Sequence, residues 1–282
     1  LNDKNVIEGK KPSYSLSGIG TCQTPTDIKV KLNNDLKFLK KHIKYKVSEL
    51  FFSDAIIFVE GVTEETLLSY HIDMNEDLNK YYISIFNING AHGLVYLPLI
   101  KLLKVPTLII TDFDIQRTTE EKNEFTQIDS LAKRKTTNET IACFNQNDYN
   151  IGCIKDYFED FNIYVVFQRE AIDGYYATSF EEAYILSNYD NTILNIALCK
   201  TKPDIYKDII GINFDKKNLK LQSYKLQQKL SNSKSNFANN LLYEIIICDK
   251  PGNLPDIPKY IDDGIKWMKN AVQKQLRGSE EQ

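Results

Sequence analysis

The chain is poor in the residues that organise several common chemistries. Its five cysteines, Cys22, Cys143, Cys153, Cys199 and Cys248, are odd in number and form no CxxC or CxxxxC pair. That argues against a zinc ribbon or a disulfide framework and points to a reducing cytoplasm. The three histidines, His42, His71 and His92, are scattered, with no HExxH; a histidine-based zinc site or triad has no support in their spacing. No apolar run nears the roughly 18 residues of a membrane span, and no secretory leader opens the chain. Charge of one sign is missing too. The 35 Lys and Arg stand against 38 Asp and Glu, so any nucleic-acid surface must be local. There is no GxxxxGK[ST], so a P-loop engine would lie outside this sequence. Chemistry falls to carboxylates and lysines.

What is present reads as an ordinary globular composition, 42% hydrophobic and 26% charged over 282 residues, enough for one large domain or two modest ones. Residues 1–26 are polar, and Gly18-x-Gly20 among them has no strand context. With Leu at position 1, the expectation is the C-terminal piece of a longer protein. Asp27 to Phe52 carries Leu32, Leu36, Leu39, Ile43, Val47 and Leu50 at helical spacing. Its other face holds seven lysines against Asp35 between Lys29 and Lys46, which is either a solvated face or a phosphate track.

Strands are expected at 55–59, 82–86, 105–111 and 162–167, with helices between the first three near Thr63 and from 92 to 104. This alternation predicts an α/β fold with a parallel sheet covered by helices. Residues 118–150 read as a polar, loop-rich insertion, and Ser179 as the N-cap of a helix beginning Phe180-Glu181-Glu182. Beyond Leu198 the chain is helical and Lys-rich, with a strand-like run from Tyr243 to Cys248, a Pro-rich turn, a last helix near 261–276 and a polar, frayed tail over 277–282.

Ligands of open parallel sheets bind beyond the C-terminal strand ends. The first strand ends at Glu60-Gly61 and the third at Asp112-Phe113-Asp114, while Glu64 follows Glu60 by four residues. The two aspartates share a face if the chain stays extended. Carboxylates about 4 Å apart at an effective dielectric near 20 repel by about 4 kcal/mol per pair, so the cluster requires cations or protons. Oxygen donors of this kind select Mg²⁺, Mn²⁺ or Ca²⁺ over zinc. Gly61 is expected to permit a sharp turn and close approach of a phosphate.

Val59-Glu60-Gly61-Val62-Thr63-Glu64 with Asp112-Phe113-Asp114 resembles the Toprim domain of topoisomerases, primases and OLD (overcoming lysogenization defect) nucleases. Glu64 is more similar to the OLD form. Phe51-Phe52-Ser53-Asp54, Ser179-Phe180-Glu181-Glu182-Ala183, Lys234-Ser-Asn-Phe237-Ala238 and Ile257-Pro258-Lys-Tyr260-Ile261 followed by Gly264-Ile265-Lys-Trp267 resemble further elements of that family. The closest group is the Gabija A-type nucleases of anti-phage defence.

The resemblance implies a Toprim fold, a Rossmann-like parallel sheet with a helical insertion and a C-terminal helical extension. It implies a linker and basic helix over 1–50, a Toprim core over 51–200 with the insertion at about 115–155, and an extension over 201–282 that completes the site. The implied activity is two-metal hydrolysis of DNA phosphodiesters. Glu60, Glu64, Asp112, Asp114 and Glu181 would be Mg²⁺ ligands, with Glu182 as fallback for Glu181. Mn²⁺ or Ca²⁺ would substitute in binding. Glu60 would also orient or deprotonate the attacking water, and Lys234 would stabilise the phosphate or protonate the leaving group. Lys133, Arg134, Lys135, Lys225 and Lys229 would contact DNA. Implied partners are an upstream ABC-type ATPase domain, further copies of the full-length protein and, for a Gabija system, a helicase-like protein. A topoisomerase- or primase-type enzyme and a non-catalytic Toprim module are the alternatives.

Overall fold

The structure is a computed structural model that describes residue 37 and residues 48–88, 93–248 and 251–280. The basic helix expected before residue 48, apart from Lys37, and the Gly18-x-Gly20 segment lie outside these residues. The described part opens with a 3₁₀ turn, Ser48–Phe51.

Three apolar runs become the expected strands: β1 (Ala55–Val59), β2 (Ile83–Asn87) and β3 (Thr107–Ile110). Helix α1 (Val62–Asp73) follows β1, and α2 (Gly93–Leu103) follows β2. The insertion holds two short helices, α3 (Thr119–Asn123) and α4 (Glu139–Phe144). A hairpin then forms β4 (Tyr157–Asp160) and β5 (Ile163–Val166). The sheet order is β2-β1-β3-β5-β4. All pairings are parallel except β4 with β5. The antiparallel β4 was not expected from the sequence. Its four residues Tyr-Phe-Glu-Asp bury only Phe158, so it lacks the apolar run that marks the other strands.

The helices after the sheet are α5 (Phe180–Asn188), α6 (Thr192–Thr201), α7 (Pro203–Ile210), α8 (Lys217–Leu221), α9 (Ser223–Leu230), α10 (Lys234–Ile246) and α11 (Lys259–Glu280). Two sequence expectations are corrected here. Tyr243 to Cys248 is no strand; Tyr243 to Ile246 are the last turn of α10. A short apolar run does not by itself distinguish strand from helix, and Ile246 and Ile247 are exposed. The tail expected to fray from Arg277 continues α11 as far as Glu280.

Strand alternation sorts the core onto two faces. Ala55, Ile57, Val59, Leu108, Ile110 and Val166 pack with α1 and with the later helices through Leu226, Phe237, Leu241, Ile265 and Met268. Ile56, Phe58, Ile109, Ile163 and Val165 pack on the opposite side with α2 and the insertion. The Lys-rich extension therefore shares one continuous core with the sheet. Gly264 lets α11 lie against it, for a Cβ there would meet Leu108 Cδ1 at 2.8 Å. That contact fixes the start of α11 over β3 and β5.

Candidate metal centre

Because β1, β3 and β5 are parallel, their C-terminal ends share one sheet edge. Glu60 follows β1, Thr111 and Asp112 follow β3, and Gln168 lies two residues beyond β5. The N-terminal ends of four helices contribute to the same place. The first turn of α1 brings Thr63 and Glu64, that of α5 brings Phe180 and Glu181, and α10 and α11 bring Lys234 and Tyr260. Ser179 caps α5 as expected, its hydroxyl accepting from Glu182 N.

Three of the carboxylates are each held through one oxygen. Glu60 Oε1 accepts from the Thr111 hydroxyl and from Asn138 Nδ2 at 3.1 Å. Asp112 Oδ1 accepts from Phe180 N at 2.9 Å and Gln168 Nε2 at 3.0 Å. Glu181 Oε1 accepts from the Thr63 hydroxyl at 2.9 Å and faces Lys234 Nζ at 3.0 Å. The second oxygen of Glu181 and the Oε2 of Glu64 are buried with no partner, although these residues are 0% and 2% exposed. A buried carboxylate oxygen without a partner is costly and needs a reason.

The electrostatics record the crowding. Burial, then Glu181, pushes Glu64 up to about 8. Burial, then Glu64, Glu60 and Glu181, holds Asp112 well above the usual range. Burial and Glu60 raise Asp114 to about 6. Lys234 stays charged, since the attraction of Glu181, Asp112 and Glu64 outweighs its burial. The structure thus brings Glu60, Glu64, Asp112, Asp114, Glu181 and Lys234 within electrostatic reach of one another. Asp114 gets there by a different path from the one expected. Its φ of 47° breaks the extended alternation with Asp112, a conformation that Asp tolerates better than most residues. Glu182 faces elsewhere. It accepts from Thr178 N at 2.8 Å and Thr178 Oγ1 at 2.9 Å, and pairs with Arg117 at 3.8 Å.

Gly61 also has a different reason. Its φ of −137° is extended backbone open to any residue, but a Cβ there would lie 2.6 Å from Glu64 Oε2. A side chain there would press on that carboxylate, which glycine leaves in place. Among the basic candidates, Arg134 is turned inward onto Glu121 at 2.6 Å and Ser130 O at 2.9 Å. Lys225 pairs with Asp208 at 2.9 Å, and Lys229 lies over the Phe125 ring. Lys133 and Lys135 are exposed on the insertion.

Sequence reasoning missed Thr63, Thr111, Asn138 and Gln168, and gave Tyr260 no role. Asn138 Nδ2 reaches Glu60, the Thr111 hydroxyl and Asp112 O, while its Oδ1 caps α4. Gln168 bridges Asp112, Tyr260 Oη and Phe113 N. Only Gln168 carried a signal, its place after a parallel strand.

Among the described residues, no three Asp, Glu, His or Cys side chains stand ready-made as a coordination cage. The donor set nevertheless suits a hard divalent cation. It consists of oxygens, two of them buried and unpartnered, and Glu64 is loaded with a proton that a cation would replace.

Comparisons with known proteins show what the chain is similar to. The model of the family described as overcoming lysogenization defect protein-like, TOPRIM domain, matches residues 51–114, the stretch that runs from before β1 to Asp114. Endonuclease GajA of Bacillus cereus (strain HuB5-5) is 56% identical over 251 residues, covering 89% of this chain. The chain spans 36% of the length of that curated relative. No solved structure matches it. The mostly parallel sheet flanked by helices agrees with a Toprim fold; this chain carries an OLD-like Toprim domain and is similar to Endonuclease GajA over most of its length.

Proposed function

We propose that this chain is the nuclease part of a larger ATPase-nuclease, and that it hydrolyses DNA phosphodiesters with divalent cations. The observation that carries this reading is the buried, cation-seeking cluster of Glu64, Asp112 and Glu181 beside Glu60. Glu60, Glu64, Asp112, Asp114 and Glu181 would hold Mg²⁺, with Mn²⁺ or Ca²⁺ able to substitute in binding. Bound ions would neutralise charge on the attacking and leaving oxygens.

The protein's own groups do the rest. Thr111 and Asn138 fix the Glu60 carboxylate, which orients a water and accepts its proton. The Lys234 ammonium, its side chain 29% exposed, stabilises the crowded phosphate or protonates the departing oxygen. Lys133, Lys135, Lys225 and Lys229 contact DNA backbone, and Arg134 supports the insertion that carries the first two. Tyr260 is the tyrosine of this cluster: its hydroxyl accepts from Gln168 Nε2 at 3.0 Å, and burial, then Asp112 and Glu64, raises it well above the usual range.

An upstream ABC-type ATPase domain, assembly into homo-oligomers, a helicase-like partner, an anti-phage role and cytoplasmic residence complete the reading. The organisation is an N-terminal linker segment over 1–50, a Toprim core over 51–200 and an extension over 201–282. No helix among the described residues is long and apolar enough to cross a membrane. The test is cleavage of supercoiled plasmid in Mg²⁺, Mn²⁺ or EDTA, by the wild type and Glu60→Ala, in this chain and in the full-length protein. Metal-dependent nicking or linearisation that Glu60→Ala abolishes supports the proposal. Silence from the full-length protein in every metal would overturn it.

A further inference from the structure

The bonds around the carboxylates carry information beyond their clustering. Glu60, Asp112 and Glu181 each have one oxygen doubly engaged by the protein. For Asp112 and Glu181 the donors are rigidly placed. Gln168 is 2% exposed and pinned at both ends, its Oε1 accepting from Phe113 N at 2.7 Å while its Nε2 donates to Asp112 and to Tyr260 Oη. Thr63 is fully buried in the first turn of α1. Phe180 N belongs to the start of α5. An oxygen that already accepts two hydrogen bonds has little lone-pair density left for a cation. Each of these carboxylates can therefore offer one oxygen and not two.

Cations differ in how they tolerate this. Mg²⁺ takes octahedral geometry with single-oxygen carboxylates, and Mn²⁺ suits the same octahedral oxygen sites. Ca²⁺ accepts six to eight oxygens and commonly takes carboxylates through both. We propose that Thr63 and Gln168 are specificity-determining residues that make this site prefer small octahedral cations over Ca²⁺, by restricting Glu181 and Asp112 to single-oxygen binding. The inference rests on the divalent-cation reading above. Neither residue touches the ion; both act through the carboxylate they orient.

The test is the rise in melting temperature of the full chain as Mn²⁺ or Ca²⁺ is titrated, which yields an apparent Kd for each without reference to cleavage. The variants are Thr63→Val, Thr63→Ser and Gln168→Leu. Wild type and Thr63→Ser should bind Mn²⁺ more tightly than Ca²⁺. Thr63→Val and Gln168→Leu should each shrink that preference roughly tenfold, the scale on which groups that orient metal ligands act. If Gln168→Leu does not fold, the near-isosteric Thr63→Val against Thr63→Ser decides alone. Equal affinity for the two ions in wild type, or a preference unchanged in the variants, overturns the inference and leaves the cation site standing. No melting shift with either ion in wild type overturns the cation reading and this inference together.

Discussion

Two buried glutamates sit side by side at the start of α5 and live in opposite environments. Glu182 is saturated. Thr178 donates to it through backbone and hydroxyl, Ser223 Oγ lies at 3.4 Å, and the Arg117 guanidinium faces it while stacking 3.4 Å from the centre of the Tyr224 ring. Glu181 shares one oxygen between Thr63 and Lys234 and keeps the other without a partner. Helix geometry turns neighbouring side chains about 100° apart, so one residue of offset separates the two. The difference teaches that neighbouring buried acids can be satisfied to opposite degrees. The fold completes the hydrogen bonds of the first and leaves those of the second unfinished.

Substitutions should pull the pair apart. The largest effect belongs to Glu181→Gln, which should lower plasmid cleavage by roughly 10²–10³-fold, as removing a charge-stabilising group from an active site does. Its melting temperature should change little, because loss of the 3.0 Å pairing with Lys234 opposes relief of the crowding with Glu64. Glu182→Ala should do the reverse in kind. It strands the Arg117 guanidinium, which is 7% exposed, and should cost about 3–5 kcal/mol in chemical denaturation, while the folded fraction still cleaves.

The proton load gives a third contrast. Glu64 is raised to about 8 from an ordinary carboxylate value, so the folded state binds the extra proton. Stability from that group is complete at low pH and is lost as pH rises through about 8. A divalent cation competes with the proton. The Mg²⁺-induced rise in melting temperature should therefore be larger at pH 8 than at pH 6, and Glu64→Gln should flatten the difference. A rise equal at both values would detach the cation from Glu64. The smallest effect is expected from Lys225→Ala with Lys229→Ala. These should leave the melting temperature unmoved and reduce the salt dependence of DNA binding, by about one unit of logarithmic slope for each phosphate no longer neutralised.

Much of this frame was legible in the sequence. Glu60, Glu64 and Asp112 follow apolar runs, and an apolar run long enough to be a doubly buried strand announces where its own end lies. Lys234 and Glu181 emerged from resemblance alone, since a lysine among lysines and an acid behind an N-cap have sufficient ordinary explanations. Thr63, Thr111 and Asn138 left no local trace, and Gln168 only its place after a strand, because their partners are distant: Asn138 lies 78 residues from Glu60, and Thr63 lies 118 from Glu181. Polar side chains bonded across the fold have no periodicity. Gly61 left a trace only as a need for space, and the structure shows the Glu64 carboxylate beside it.

The most direct measurement is Mn²⁺ binding by electron paramagnetic resonance to wild type, Glu181→Gln and Glu182→Gln, with folding checked by circular dichroism. Wild type and Glu182→Gln should capture Mn²⁺ at the same stoichiometry, and Glu181→Gln should lose affinity by tenfold or more, on the order expected for disturbed metal sites. Equal capture by all three, or loss confined to Glu182→Gln, would contradict the assignment of the unfinished carboxylates to a cation.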